Sequence, residues 1–284
     1  MGQYRKAESV ADACAVLQES DGTAEVIAGG QTLMLNIRQG LKRPGVLVDI
    51  SAIDRIRGVS EEDGTLRIGG ATTYATIARS RIVRDSLPFL AGAMSEIAGP
   101  QVRHNGTIGG GLCYGDPALD SPPVLLTLDS DVVLEGLNGT RRVPLSEFFV
   151  GYYATDLDPT EILTDIVVPT LPDGSGACYR TVTPRQGDYA IAGVATRLTF
   201  DGDTCEVARI GLTNAGDTPM RATDAELVLE GTDVSDDKVA SAASEVVDAL
   251  DVFDDPQVPK SYRETVFRRL AVHTIERVRD EVTN

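Results

Sequence analysis

The sequence predicts an α+β protein of two small α/β lobes followed by a C-terminal domain of strands and helices. Three observations carry this. Helix and strand patterns alternate from residue 8 to about residue 53; at Asp54 the pattern changes to short strands around an Asp-Gly turn; after the break "TLPDGSG", long strands come first and three helical stretches last. The expected divisions are 1–53, 54–172 and 177–284.

In the first lobe, "ESVADACAVLQ" spaces Val10, Ala13, Cys14 and Leu17 as one helix face after a serine suited to capping. "AEVIAGG" reads as a short buried strand, "GGQTLMLNIRQG" as a glycine turn entering a helix, and "VLVDIS" as a returning strand. In the second lobe, "DRIRGVSEEDGTLRIGG" gives two strands and their turn, and "TTYATIARS" a threonine-capped helix. Helix continues around "LAGAMSEIA" and ends at Gly99-Pro100. "SPPVLLTLD" begins a short helix with proline in its first turn, and "DVVLEG", "TRRVPL" and "EILTDIVVP" are strands. The C-terminal strands lie in "CYRTVTPRQGDYAIAGVATRLTF" and "CEVARIGLTN". The last helix places Tyr262, Val266, Leu270, Ala271, Ile275 and Val278 on one apolar face, with His273 half-buried beside it.

Composition excludes several classes of function. Against 26 basic residues stand 43 acidic ones, a formal charge of −17, which disfavours a nucleic-acid partner. Only four of the basic residues are lysines (Lys6, Lys42, Lys238, Lys260), and aromatics are few. That balance fits a high-salt cytoplasm, where dense carboxylates stay hydrated while salt screens their repulsion. No apolar run approaches a membrane span, and "MGQYRKAESV" lacks the apolar region of a signal peptide, so a soluble, cytoplasmic protein is expected. Cys14, Cys113, Cys178 and Cys205 are scattered without a CxxC pair, which supports neither zinc nor an iron–sulfur cluster and implies free thiols.

The chemistry gathers in two glycine-rich stretches. "GTIGGGLCYGDPALDSP", residues 106–122, holds Gly106, Gly109, Gly110, Gly111 and Gly115, and "AGGQTLMLN", residues 28–36, runs from a strand through two glycines into a helix start. Such density implies positive φ or the close approach of another group. Tyr114 stands where GxGxxG needs its third glycine, and no GxxxxGK[ST] occurs, so neither standard nucleotide loop is present. Two corners presenting runs of backbone N–H groups suit a diphosphate held between lobes without cationic side chains.

"AGGQTLMLNIR", "TIGGGLCYGDPALDSP", "FFVGYYATDLDPTEILTDIVVP" and "YRTVTPRQGDYAIAGVA" together resemble, in order and spacing, the FAD-binding medium subunit of the molybdenum hydroxylases, the group of carbon monoxide dehydrogenase and xanthine dehydrogenase. The resemblance covers nearly the whole chain. It implies a two-lobed flavin fold of the vanillyl-alcohol oxidase (PCMH) type and a C-terminal domain of the CO dehydrogenase flavoprotein type. By the same resemblance, Ala28, Gly29, Gly30, Gln31, Thr32, Leu33, Met34 and Leu35, with Thr107, Ile108, Gly109, Gly110 and Gly111, wrap the FAD pyrophosphate. Thr32 and Thr107 would be hydroxyl donors, and Asp120 would bond the flavin's polyol chain. Leu163 would make a backbone contact near the adenine or flavin. Tyr189 would cover the isoalloxazine, with Asp188 fixing the turn, and Arg180 would stand where some relatives carry a flavin-contacting lysine.

Gly111 occupies a position that is asparagine in many members, and His104 one where "VRN" is common. FAD is expected to be noncovalent, with His104 a polar neighbour and not a covalent link. The resemblance implies no catalytic or metal-binding residue here: molybdopterin would lie in a large subunit and two [2Fe-2S] clusters in a small one, with two copies of each of the three chains. The FAD would pass their electrons to an external acceptor. A free-standing FAD oxidoreductase with its own substrate pocket is the alternative. It would need a base near the flavin, and residues 177–284 offer no His or Cys pair for one.

Overall fold

A computed structural model describes residues 2–252 and 258–283; residue 284, the expected end of the third piece, lies outside the described residues. The chain opens with β1 (Gln3–Lys6), α1 (Val10–Glu19), β2 (Ala24–Ile27), α2 (Leu33–Arg38) and β3 (Val46–Asp49). Ser9 caps α1 by accepting the Asp12 amide at 3.0 Å, and Val10, Ala13, Cys14 and Leu17 are buried as the spacing predicts. The strands form a parallel sheet in the order β1-β3-β2. The edge strand β1 has no buried residue, which is why hydropathy did not reveal it.

The second lobe contains β4 (Val59–Glu62), β5 (Thr65–Gly69), α3 (Tyr74–Arg79), α4 (Arg81–Ser86), α5 (Pro88–Glu96), α6 (Pro100–Asn105), α7 (Ile108–Tyr114) and α8 (Ser121–Thr127). It continues through β6 (Asp131–Gly136), β7 (Gly139–Pro144), α9 (Leu145–Phe148), the small hairpin β8 (Phe149–Gly151) with β9 (Ala154–Thr155), and β10 (Ile162–Pro169). Asp63 and Gly64, at φ +48° and +68°, make the tight turn between β4 and β5. The antiparallel sheet runs β4-β5-β10-β6-β7, and Leu66, Ile68, Val132, Leu134, Ile166 and Val168 join the helices in the largest core cluster.

Two helices here depart from expectation. The helix around "LAGAMSEIA" ends at Glu96, three residues before Gly99-Pro100, and Pro100 opens a further helix, α6, where its missing N–H has no partner to lose. The triple glycine lies inside α7 and not in a loop. Thr107 accepts the Gly110 amide at 3.2 Å and supplies the cap that so glycine-rich a helix requires.

The C-terminal sheet is antiparallel, β11 (Ser175–Val182), β12 (Ala192–Asp201), β13 (Thr204–Thr213) and β14 (Met220–Arg221) in that order, followed by α10 (Thr223–Leu229), α11 (Asp236–Asp248) and α12 (Lys260–Thr283). α12 buries Val266, Phe267, Ala271, Thr274, Ile275 and Val278. Its inward face is therefore rotated from the expected one: Phe267 and Thr274 point in, while Tyr262 and His273 are exposed. Thr274 is admitted because its hydroxyl meets that of Thr196 at 2.8 Å.

One carboxylate ties this domain to the preceding lobe. Asp129, after α8 at φ +48°, accepts from Arg197 of β12 (2.8 Å), Arg209 of β13 (3.0 Å) and Arg221 of β14 (3.2 Å). The Arg197 side chain is only 9% exposed, so losing its partner would strand a buried charge.

Candidate functional site

A cleft of about 850 Å³ lies where the first lobe faces the second, within the size range of small-molecule and cofactor sites. Its wall includes Ala28, Gly29, Gly30, Gln31, Thr32, Leu33 and Leu35 from the β2–α2 corner. Thr107, Gly109, Gly110, Gly111, Asp120, Leu163, Asp188 and Tyr189 reach it from later in the chain. Met34, Ile108 and Arg180 are not on the wall. Met34 packs beside Gly30, Ile108 is fully buried in the core, and Arg180 turns back to donate to the Tyr179 carbonyl at 2.8 Å.

The two glycine corners are not equivalent. At the first, Gly30 takes φ +66°, and the amides of Gly30, Gln31, Thr32 and Leu33 find no acceptor among the described residues. Thr32, the residue before α2, makes no side-chain cap bond, so its hydroxyl is uncommitted. At the second, Ile108 donates to Thr72, Gly109 to Gly70, Gly110 to the Thr107 hydroxyl and Gly111 to the Thr107 carbonyl. The first corner is a nest of free donors, whereas the second has spent its amides. The expectation of two like nests is corrected accordingly.

The glycines also serve different neighbours. A Cβ at Gly29 would collide with the Asn105 carbonyl, one at Gly109 would lie 2.6 Å from the Gly70 carbonyl oxygen, and one at Gly111 would overlap the Tyr74 hydroxyl. At these three positions smallness lets protein approach protein and sets the corners side by side. Gly110 is exposed toward the cleft, and beyond its own helix backbone and chain neighbours only the Thr107 hydroxyl lies within 4 Å of its missing Cβ. The Tyr74 hydroxyl thus takes the space that an asparagine side chain at position 111 would need.

Asp120, before α8, is half-buried on the wall, and its Oδ1 accepts the Tyr179 hydroxyl at 2.5 Å. Burial raises the Asp120 carboxyl to about 6, with Glu96 adding to the rise and the Tyr179 hydrogen bond opposing it. Burial likewise lifts Tyr74 to about 12, and it lifts the half-buried Cys113 thiol to about 12, leaving that thiol unreactive. Cys14, Cys178 and Cys205 are free and buried.

Tyr189 stands 57% exposed at the cleft. Its turn is closed by the backbone, the Asp188 amide donating to the Arg185 carbonyl at 3.1 Å beside Gly187 at φ +92°; no bond from the Asp188 carboxylate contributes. Tyr114, also on the wall, meets Tyr153 edge-on at 5.0 Å between ring centroids, and Tyr153 meets Tyr152 at 4.5 Å. Neither histidine lines the cleft; His104 is exposed, with Nδ1 2.7 Å from the Pro100 carbonyl. Among the described residues no cluster could hold a metal ion, and no helix is long and apolar enough to cross a membrane.

Sequence reasoning missed Tyr74, Tyr179 and the tyrosine hairpin. "TTYATIARS" shows the cap but not that the tyrosine behind it reaches the glycine helix. Tyr179 contacts Asp120 across 59 residues of chain, a pairing that no local pattern encodes.

Residues 1–171 match the family described as the FAD binding domain in molybdopterin dehydrogenase, and residues 177–278 the CO dehydrogenase flavoprotein C-terminal domain. The chain is 36% identical to the 6-hydroxypseudooxynicotine dehydrogenase complex subunit alpha of Paenarthrobacter nicotinovorans, covering 96% of this chain and 92% of that one. It is 35% identical to the carbon monoxide dehydrogenase medium chain of Hydrogenophaga pseudoflava, covering 92% and 91%. A solved structure of carbon monoxide dehydrogenase from the same organism superposes with a TM-score of 0.95 at 34% identity, over 98% of this chain and 96% of that one.

Proposed function

The chain belongs to the FAD-binding medium subunits of the molybdenum hydroxylases, and on that premise we propose how its cleft holds FAD and how it serves a complex. The observation that carries the reading is the run of unspent amides from Gly30 to Leu33 on the wall of a cleft that Thr107 also lines. These groups hold a pyrophosphate in a chain of charge −17 through amides and hydroxyls, while Lys42, also on the wall, is paired with Glu25 at 2.6 Å. Thr32 and Thr107 donate hydroxyls, Gly110 leaves the space, and Asp120 accepts from the polyol chain. Leu163 presents backbone to the ring or adenine, and Tyr189 covers the isoalloxazine. Arg180, turned from the cleft, takes no part.

When bound, FAD supplies the exchange of one or two electrons; the protein supplies position and electrostatics. The chain is divided as two flavin lobes, 1–53 and 54–172, and a C-terminal domain, 177–284. It works in the cytoplasm between a small [2Fe-2S] subunit and an external acceptor, within a complex that also contains a large molybdopterin-binding subunit, two copies of each. Neither histidine lines the cleft wall, and Asp120, its carboxylate raised to about 6, is engaged by the Tyr179 hydroxyl and assigned to the polyol chain, which disfavours the free-standing oxidoreductase. Affinity purification of the tagged chain in molar potassium chloride is expected to bring down a cysteine-rich chain and a larger molybdenum-containing one. Recovery of a lone flavoprotein that oxidises a small organic substrate by itself would overturn the assignment.

A further inference from the structure

We propose that Tyr179, a residue of the C-terminal sheet, is a positioning residue for the cofactor, holding the Asp120 carboxylate oriented toward the ribityl hydroxyls. The C-terminal sheet thereby supports the FAD site from behind its wall, which only the loop before β12 reaches. This rests on the FAD reading above.

The geometry is specific. Tyr179 is 7% exposed on β11 and is absent from the cleft wall; its hydroxyl lies 2.5 Å from Asp120 Oδ1 and 3.0 Å from the Thr213 hydroxyl of β13. A phenol has one proton. With that proton directed to the carboxylate, the Thr213 hydroxyl must be the donor to the phenol oxygen, giving a relay Thr213 to Tyr179 to Asp120. The relay needs room at Gly193 of β12, where a Cβ would lie 2.9 Å from the Tyr179 hydroxyl and 3.0 Å from Thr213 Cβ. It also locks the C-terminal sheet to the loop before α8, beside the bond from the Asn214 amide to the Pro117 carbonyl at 2.8 Å.

Few other groups bear on Asp120. Tyr74 of α3 is a neighbour whose hydroxyl bonds Ser121 at 3.3 Å, and Glu96 of α5 adds negative charge. No arginine or lysine is among the groups that shift it, so Tyr179 provides the stabilisation of the ionised carboxylate that burial opposes. The sign follows. Ribityl hydroxyls donate to the carboxylate, so the ionised form binds more tightly, and affinity rises with pH through about 6 and is lost below it. Without the Tyr179 proton the carboxyl titrates higher and the rise moves to higher pH.

The test is a fluorescence titration of the deflavinated full-length chain with FAD across pH 5–9. The variants are wild type, Tyr179→Phe, Asp120→Asn and the double substitution. Tyr179→Phe is expected to move the midpoint of the affinity profile upward by about one pH unit or more, the worth of a hydrogen bond to a charged group. Asp120→Asn is expected to flatten the profile, and in that background Tyr179→Phe should have no further effect. An unmoved midpoint in Tyr179→Phe, or an equal loss of affinity with and without Asp120, would make Tyr179 merely structural. If Tyr179→Phe does not fold, Thr213→Val is expected to shift the midpoint the same way by a smaller amount, and a midpoint left in place overturns the proposal. Wild-type chain that binds no FAD at any pH defeats the FAD reading and this proposal together. Binding with an unaltered profile defeats this proposal alone.

Discussion

Gly110→Val separates cofactor space from protein packing. Beyond its own helix backbone and chain neighbours, a Cβ at this position meets only the Thr107 hydroxyl, at 2.8 Å. That hydroxyl sits on a rotatable bond and can swing aside, giving up its 3.2 Å cap bond to the Gly110 amide at about 0.5–2 kcal/mol. Removing a glycine from a helical turn returns about 0.5–1 kcal/mol, less for a β-branched residue. Folding stability should therefore change by about 1 kcal/mol. The valine methyls, in contrast, enter the cleft that the free amides of the first corner also line. If they displace the pyrophosphate from two charge-assisted hydrogen bonds worth about 1.5–3 kcal/mol each, affinity falls about 10²–10⁴-fold. FAD titration of the deflavinated chain, with thermal unfolding alongside, reads both quantities. Unchanged FAD affinity in a folded Gly110→Val chain would refute the reasoning. Gly109→Ala is the control: its Cβ lies 2.6 Å from the Gly70 carbonyl oxygen, so it should lower the melting temperature with or without FAD.

Other perturbations test the neighbouring contacts. Asp129→Ala should cost about 3 kcal/mol in urea unfolding, because it strands the buried Arg197 charge; a change under about 0.5 kcal/mol, the worth of an exposed pair, would show the three-arginine clamp to be a surface feature. Gly111→Ala should destabilise the chain by collision with the Tyr74 hydroxyl, and Tyr74→Phe in the same chain should recover part of the loss; additive losses would mean that the hydroxyl is not the obstacle. Tyr189→Ala should shift the flavin spectrum or reduction potential with little loss of stability, since the side chain is 57% exposed; a collapse of stability with the spectrum unmoved would reassign it to packing. Dilution from molar to millimolar salt should lower the melting temperature of a chain of charge −17, and a salt-independent transition would contradict the high-salt reading of its composition.

What was legible in the sequence was local. Ser9 and Thr73 cap the helices they precede, Asp63-Gly64 turns its hairpin, and the prolines of "SPPVLLTLD" open α8, because each effect depends on residues within one turn. Both glycine stretches were visible as places of close approach, but not what approaches. That depends on where Asn105, Gly70 and Tyr74 come to rest, and those positions are set by tertiary packing. The α7 helix was hidden because glycine propensity argues against helix, while the bonds that hold its first turn reach Thr72 and Gly70 at the end of β5 and beyond it. The face of α12 was misjudged by one turn position, because a threonine pair, Thr196 with Thr274, could be buried at the cost of exposing Tyr262.

The most direct measurement is the flavin content of the purified chain in high salt after acid precipitation. One FAD per chain should be released into the supernatant, leaving a colourless pellet, because neither histidine lines the cleft and burial pushes the Cys113 thiol on its wall up to about 12. Flavin retained on the denatured protein, or a chain that stays colourless and gives no flavin after incubation with excess FAD, would contradict the account.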